Sequence, residues 1–114
     1  MPELRTGSGL RSEYHAIRLN GYLSIERYPE YRAAFASPLG AQPVLVDLRE
    51  ATGADSVFLS ELLLFKRRHP GPLAVLVPAT GNLARVFALV GMGEKMNVFT
   101  ALDDALSALG AAPE

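Results

Sequence analysis

Residues capable of chemistry are few and scattered in this sequence. There is no cysteine, which excludes thiolate nucleophiles, disulfides and Cys-ligated zinc. The two histidines, His15 and His69, lack the HxxxH or His-Glu spacing of a metal site, and we interpret both as structural. Asp47 interrupts an apolar run, but a carboxylate near a strand end most often accepts hydrogen bonds from loop N–H groups. We therefore predict no catalytic residue, no metal and no cofactor.

A second polar pair, Asp55 and Ser56, directly precedes a segment of helical periodicity. We predict a helix over Ser56–Arg68, because its apolar residues share one side and three cations occupy its last turn, where the helix dipole favours them. The apolar side consists of Phe58, Leu59, Leu62, Leu63 and Phe65. Aspartate and serine are preferred at helix starts, since their side-chain oxygens accept unpaired backbone N–H groups. On this evidence the pair could simply cap the helix.

The opposite side of this helix carries its own signal. At about 100° per residue, Val57 and Leu64 point away from the apolar side and lie with Ser60 and Glu61. Isolated surface aliphatics are normal, so one interpretation assigns them no role. The other is a docking face for a partner protein. We predict that Val57 and Leu64 are exposed in the free chain and buried in a complex.

Apolar patterning predicts the strands that must position these residues. Alternation over 14–19 indicates a strand ending at Asn20 and Gly21, preceded by a second strand close enough to form a hairpin. Runs that are apolar on both faces at 43–48 and 73–77 are typical of strands covered by helices. A short strand is expected at 97–99.

Three further helices separate or follow these strands. One begins near Pro29, since proline is tolerated in a first turn. The next carries Leu83, Val86, Phe87 and Val90 on one face and ends at Gly91, where positive φ is favourable. The last has Thr100 and Asp103 spaced as a capping box and ends at Gly110. We expect the core to contain Val44, Val46, Leu62, Val75, Val86 and Leu106.

Length and charge limit the remaining possibilities. A chain of 114 residues, 49% hydrophobic and 20% charged, is expected to be one globular domain spanning 1–114. Its net charge of -1 gives no general attraction to nucleic acid or to anionic lipid. No apolar run is long enough for a signal peptide or a membrane span, so we predict a cytoplasmic protein.

The fold class follows from the order of these elements. Strands alternating with helices predict an α/β fold, with a mixed four- to five-stranded β-sheet flanked by four α-helices. Sites in such folds usually lie beyond the carboxyl ends of the strands. Residues 49–56 are predicted to lie there.

Two stretches of the sequence resemble the STAS domain, which anti-sigma factor antagonists share with the cytoplasmic tails of sulfate transporters. They are PVLVDLREATGADSVFLSELLLFKRR and LAVLVPATGNLARVFALVGMGEKMNVFTALDDALSAL. The resemblance implies a bacterial regulator of transcription whose phosphoacceptor is Ser56. It further implies partner switching, in which an anti-sigma factor that is also a serine kinase binds the unmodified protein and a phosphatase resets the cycle. Asp55, Val57, Ser60, Glu61 and Leu64 are the predicted partner-binding residues.

The sequence departs from the STAS pattern at two places. Where the family usually continues Ser-Gly-Leu-Gly, this chain has bulky residues at Val57, Phe58 and Leu59. Where the family has Gly-Glu-Leu-Asp after the second strand, this chain has Gly-Tyr-Leu-Ser at 21–24, without the acidic groups. These differences favour an alternative, a non-phosphorylated STAS subunit or scaffold of a lipid-transport or stress-signalling complex. The sequence leaves the partner and the oligomeric state open.

Overall fold

A computed structural model describes residues 3–6 and 13–110, which form seven strands and five α-helices. The strands are β1 (Glu3–Thr6), β2 (Glu13–Arg18), β3 (Gly21–Leu23), β4 (Val44–Asp47), β5 (Ala51–Ala54), β6 (Leu73–Leu76) and β7 (Val98–Phe99). The helices are α1 (Tyr28–Phe35), α2 (Ser56–Arg68), α3 (Asn82–Leu89), α4 (Met92–Lys95) and α5 (Leu102–Ala108), and a single 3-10 turn (Ile25–Arg27) precedes α1. The predicted domain boundaries at 1 and 114 lie outside the described residues.

The main sheet has five strands in the order β1-β2-β4-β6-β7. β1 pairs antiparallel with β2, which confirms the predicted hairpin, while β2, β4, β6 and β7 run parallel to one another. Because the crossovers are helical, both faces of the sheet are covered, and every residue of β4 and β6 is buried. The predicted mixed α/β sheet is confirmed.

Alternate residues of the strands feed two separate cores. On one face, Val44, Val46 and Val75 pack with residues of α1, α2, α3 and α4. On the other face, Leu45 and Ala74 pack with α5. All six predicted core residues belong to or contact these clusters, although Val86 is only partly buried. The largest core therefore lies beneath α2 and holds that helix against the sheet.

The structure corrects the sequence predictions at four places. β3 and β5, which were not predicted, pair parallel in a small second sheet, so part of the segment 49–56 is a strand. A one-turn helix, α4, follows Gly91. Val90, placed on the apolar face of the third helix by its spacing, is the C-cap of α3 and is 39% exposed. The proposed capping box is wrong, since the N-cap of α5 is Ala101 and no side chain caps that helix.

Glycines with positive φ occupy the two predicted helix ends, and positive φ was predicted at the first of them, Gly91. Gly91 has φ 69° and Gly110 has φ 78°, values that other residues rarely adopt. Pro29 lies in the first turn of α1, as predicted. None of the helices in the described part of the chain is long and apolar enough to cross a membrane.

Candidate functional site

The small sheet of β3 and β5 places the start of α2. Asp55 follows β5 directly, and its backbone N–H donates to the carbonyl of Leu23 at 3.1 Å. Gly53 lies opposite Tyr22 in this sheet, and a Cβ atom at Gly53 would lie 2.8 Å from the Tyr22 ring and 2.6 Å from Asn82 Nδ2. Only glycine leaves room for both neighbours, so the position of the Tyr22 ring depends on it.

The Asp55 carboxylate joins three backbone groups from two elements. Its Oδ1 accepts from the N–H groups of Val57 and Phe58, both at 3.1 Å, which makes Asp55 the N-cap of α2. Its Oδ2 accepts from the N–H of Ile25 at 2.8 Å, in the turn before α1. The capping interpretation is therefore correct for Asp55. A direct contact between Asp55 and a partner stays a prediction.

Ser56 is the first residue of α2 and is exposed. Its hydroxyl has no hydrogen-bond partner among the described residues, because Asp55 already caps the helix. Backbone N–H groups and the dipole at a helix start favour an added anion by about 0.3 to 2 kcal/mol. The hydroxyl is thus available for modification, and phosphorylation at Ser56 stays a prediction.

Other exposed residues lie along α2 and beside its start. Ser56, Ser60 and Leu64 follow one another at i, i+4 and i+8 along α2, and Leu64 is 44% exposed. Tyr22 and Ile25 are 51% and 58% exposed. The Tyr22 ring lies against Gly53 and the Ile25 N–H donates to Asp55, so both residues lie near the start of α2. We call these five residues the Ser56 surface.

Of the two residues predicted to be exposed, Val57 and Leu64, the structure agrees at one. Leu64 is exposed as predicted, whereas Val57 is only partly exposed, so the prediction that Val57 lies free in solvent is wrong. Glu61 is also partly buried. Tyr22 and Ile25 were missed as site residues because no periodicity marks them. The available signal was that 21–24 lacks the acidic groups of the STAS pattern.

The buried side of α2 explains the bulky residues after Ser56. Phe58 is fully buried and packs edge-on against Tyr31 at 5.0 Å between ring centroids, and Phe65 stacks on Phe35 at 4.9 Å. Burial, together with the charges of Asp55 and Glu61, raises the pKa of Tyr31. The Phe58 ring therefore lies in the core and contributes nothing to the exposed surface of α2.

A second polar corner lies where β4 ends. Asp47, 6% exposed, accepts from the backbone N–H of Arg49 at 3.1 Å and from two guanidinium nitrogens of Arg49 at 3.0 and 2.9 Å. Arg18 Nε lies 3.6 Å from the same carboxylate. Burial alone would raise the pKa of Asp47, but the hydrogen bonds and charges of Arg49 and the charge of Arg18 lower it overall.

Arg18, Asp47 and Arg49 line one side of a cavity of about 390 Å³. Its lining comprises Arg18, Leu19, Asn20, Asp47, Arg49 and Glu50. Because Asp47 closes its own loop through Arg49, the interpretation of Asp47 as a loop-bonding carboxylate is confirmed.

Within the described residues, neither histidine is hydrogen-bonded to a residue of the Ser56 surface. His15 Nε2 lies 2.9 Å from Ser37 Oγ, and burial lowers its pKa. His69 Nε2 lies 2.7 Å from the carbonyl of Gln42. Over residues 3–6 and 13–110, no group of three or more acidic or histidine side chains could hold a metal ion.

Similarity to known proteins is found at the level of the three-dimensional structure. No family model matches the sequence. No curated protein matches it either. The structure is similar to the crystal structure of an anti-sigma factor antagonist from Mycobacterium paratuberculosis, with a TM-score of 0.71, over 96% of this chain and 94% of that one. The two sequences are 18% identical. The chain therefore has the fold of an anti-sigma factor antagonist, as the STAS resemblance implied.

Proposed function

We propose that this chain is an anti-sigma factor antagonist, a regulatory protein that binds an anti-sigma factor through the Ser56 surface. The observation that carries the proposal is the unbonded, exposed hydroxyl of Ser56 at the start of α2, on a fold shared with such an antagonist. The chain itself is not an enzyme in this proposal. Its activity is to bind a partner, in the cytoplasm.

Phosphorylation of Ser56 by the anti-sigma factor, acting as a serine kinase, is the proposed switch. A phosphoserine carries about -1.5 to -2 charges, which the helix start tolerates but an apolar interface does not. The Ser56 surface includes the exposed, largely apolar side chains of Tyr22, Ile25 and Leu64. Closing a partner over a phosphate there would remove its charge from water, and each 1.4 kcal/mol of that penalty lowers affinity tenfold. A phosphatase would restore binding.

The exposed side chains of Tyr22 and Ile25 favour a second candidate function. Tyr22 replaces the glutamate of the STAS pattern with a large side chain that is 51% exposed, and Ile25, just after this stretch, is 58% exposed. Permanent interfaces are more apolar than transient ones. The same surface could therefore hold a lasting partner, making the chain a non-phosphorylated subunit or scaffold of a lipid-transport or stress-signalling complex.

Native purification from the source cells, followed by mass spectrometry, separates the two candidates. For an antagonist we expect an anti-sigma factor with a kinase domain among the bound proteins, and phosphate on Ser56 in the unbound fraction. Transporter or scaffold subunits bound to protein without phosphate would support the second candidate and contradict the first.

Two variants make this purification specific to the site. Ser56→Glu places a charge at the proposed switch and should abolish recovery of the anti-sigma factor. Ser107→Glu places the same charge on an exposed position of α5, which packs on the other face of the main sheet, and serves as the matched control for general charge effects. Because Ser107 lies outside the Ser56 surface, this variant should recover the anti-sigma factor as the wild type does. Equal recovery with both variants would contradict a role specific to Ser56.

A further inference from the structure

The turn that carries Ile25 is held at its two ends by different residues. At its far end, Arg27 donates to the carbonyls of Asn20 and Tyr22 and pairs with Glu30 at 2.8 Å. At its near end, Ser24 is the N-cap by position but its side chain makes no capping hydrogen bond. The first N–H of the turn, that of Ile25, is bound by Asp55 from 30 residues away.

The Asp55 carboxylate therefore accepts hydrogen bonds from two elements, α2 and the turn that carries Ile25. Oδ1 of Asp55 caps α2 through Val57 and Phe58, and Oδ2 holds Ile25. The two oxygens are bonded to the same carbon and turn together about the Cβ–Cγ bond. A group that turns the carboxylate away from the start of α2 therefore also shifts Oδ2 relative to Ile25.

We propose that Asp55 is a positioning residue that couples the modification state of Ser56 to the position of Ile25. The inference rests on the proposed function, because it concerns a phosphate on Ser56. Such a phosphate adds about -1.5 to -2 charges next to the Asp55 carboxylate and competes with it for the N–H groups at the start of α2. Asp55 is displaced by repulsion and competition, and Ile25 loses its acceptor. Phosphorylation then removes an apolar contact as well as adding a charge.

Amide hydrogen exchange measured by NMR tests this coupling directly. The proteins are the wild type, the chain with phosphoserine incorporated at position 56, and the variant Asp55→Ser. Serine caps a helix about as well as aspartate, but a single hydroxyl oxygen cannot hold α2 and Ile25 together. We expect the Ile25 amide to exchange at least tenfold faster in the phosphorylated chain and in Asp55→Ser than in the wild type.

Two controls keep this result interpretable. The Leu48 amide, which donates to the carbonyl of Leu76 at 2.7 Å in the main sheet, should keep its wild-type exchange rate in every protein and so report intact folding. Ser60→Glu adds charge to α2 away from its start and should leave the Ile25 amide unchanged.

The inference is overturned if the Ile25 amide is equally protected with and without phosphate, or if it already exchanges at the rate of an unstructured chain in the wild type. Its failure is distinct from failure of the proposed function. Loss of anti-sigma factor binding on phosphorylation, with Ile25 still protected, would remove the coupling and keep the function. Release of Ile25 with unchanged binding would support the coupling and contradict the function.

Discussion

Helix α2 has two sides that differ in what they contact. On one side, Phe58, Leu62 and Phe65 are almost fully buried against α1 and the sheet. On the other, Ser56, Ser60 and Leu64 are exposed in one row. The first side fixes the helix within the fold, and the second side gives the fold a surface for a partner. A substitution on one side should therefore change stability, and a substitution on the other should change binding.

A similar contrast holds between two aspartates, Asp47 at the end of β4 and Asp55 just after β5. The Asp47 carboxylate accepts hydrogen bonds from Arg49, two residues on, whereas that of Asp55 accepts from α2 and from a turn distant in sequence. Position at the end of a strand does not by itself identify a functional carboxylate. Its bonding partners show whether it closes a local loop or positions a surface.

The largest expected effect on stability is at the buried side of α2. Leu62 is fully buried, so Leu62→Ala should lower the free energy of unfolding by about 2 to 5 kcal/mol, from lost apolar transfer and the cavity left behind. Urea unfolding measures this directly. A loss below about 1 kcal/mol would contradict the orientation of α2.

A smaller effect is expected at Asp47. Asp47→Ala removes charge-assisted hydrogen bonds to Arg49 and should cost about 1 to 3 kcal/mol at pH 7. The pKa of Asp47 is lowered in the folded state, so its contribution to stability is present above the unfolded pKa and is lost as pH falls through the folded pKa. The stability difference between wild type and variant should therefore shrink in acid. A difference that stays constant from pH 7 to strong acid would contradict this account.

The smallest effects on stability are expected on the exposed side. Leu64→Ser should change the free energy of unfolding by less than about 0.5 kcal/mol. Val57→Ser should cost about 1 kcal/mol, roughly half the value of full burial, because Val57 is partly buried. Both should weaken partner binding. Denaturation and titration of the two single variants separate these effects, and early melting of Leu64→Ser would assign Leu64 to the core.

The sequence predicted the elements whose patterns are strong. β4 and β6 were found because both faces are apolar, and α2 was found because its apolar residues repeat along one side. The same patterns identified the buried side of α2 and the exposure of Leu64.

Other features depend on contacts that no local pattern reports. β5 has the sequence ATGA, in which Thr52 is the only β-branched residue and no residue is aromatic, and it forms a strand by pairing with β3. The burial of Val57 depends on neighbours from elsewhere in the chain, whereas its helical angle gives only a direction. The role of Asp55 was only half predicted, because capping is local but the bond to Ile25 spans 30 residues.

The central claim is that charge at Ser56 controls partner binding without unfolding the chain. Calorimetric titration of the purified anti-sigma factor kinase against the wild type, Ser56→Ala and Ser56→Glu tests it most directly. We predict tight binding for the first two, at least a tenfold weaker Kd for Ser56→Glu, and phosphate transfer from ATP to the wild type only. Equal affinities for all three proteins, with no phosphate transferred, would contradict the switch and favour the scaffold.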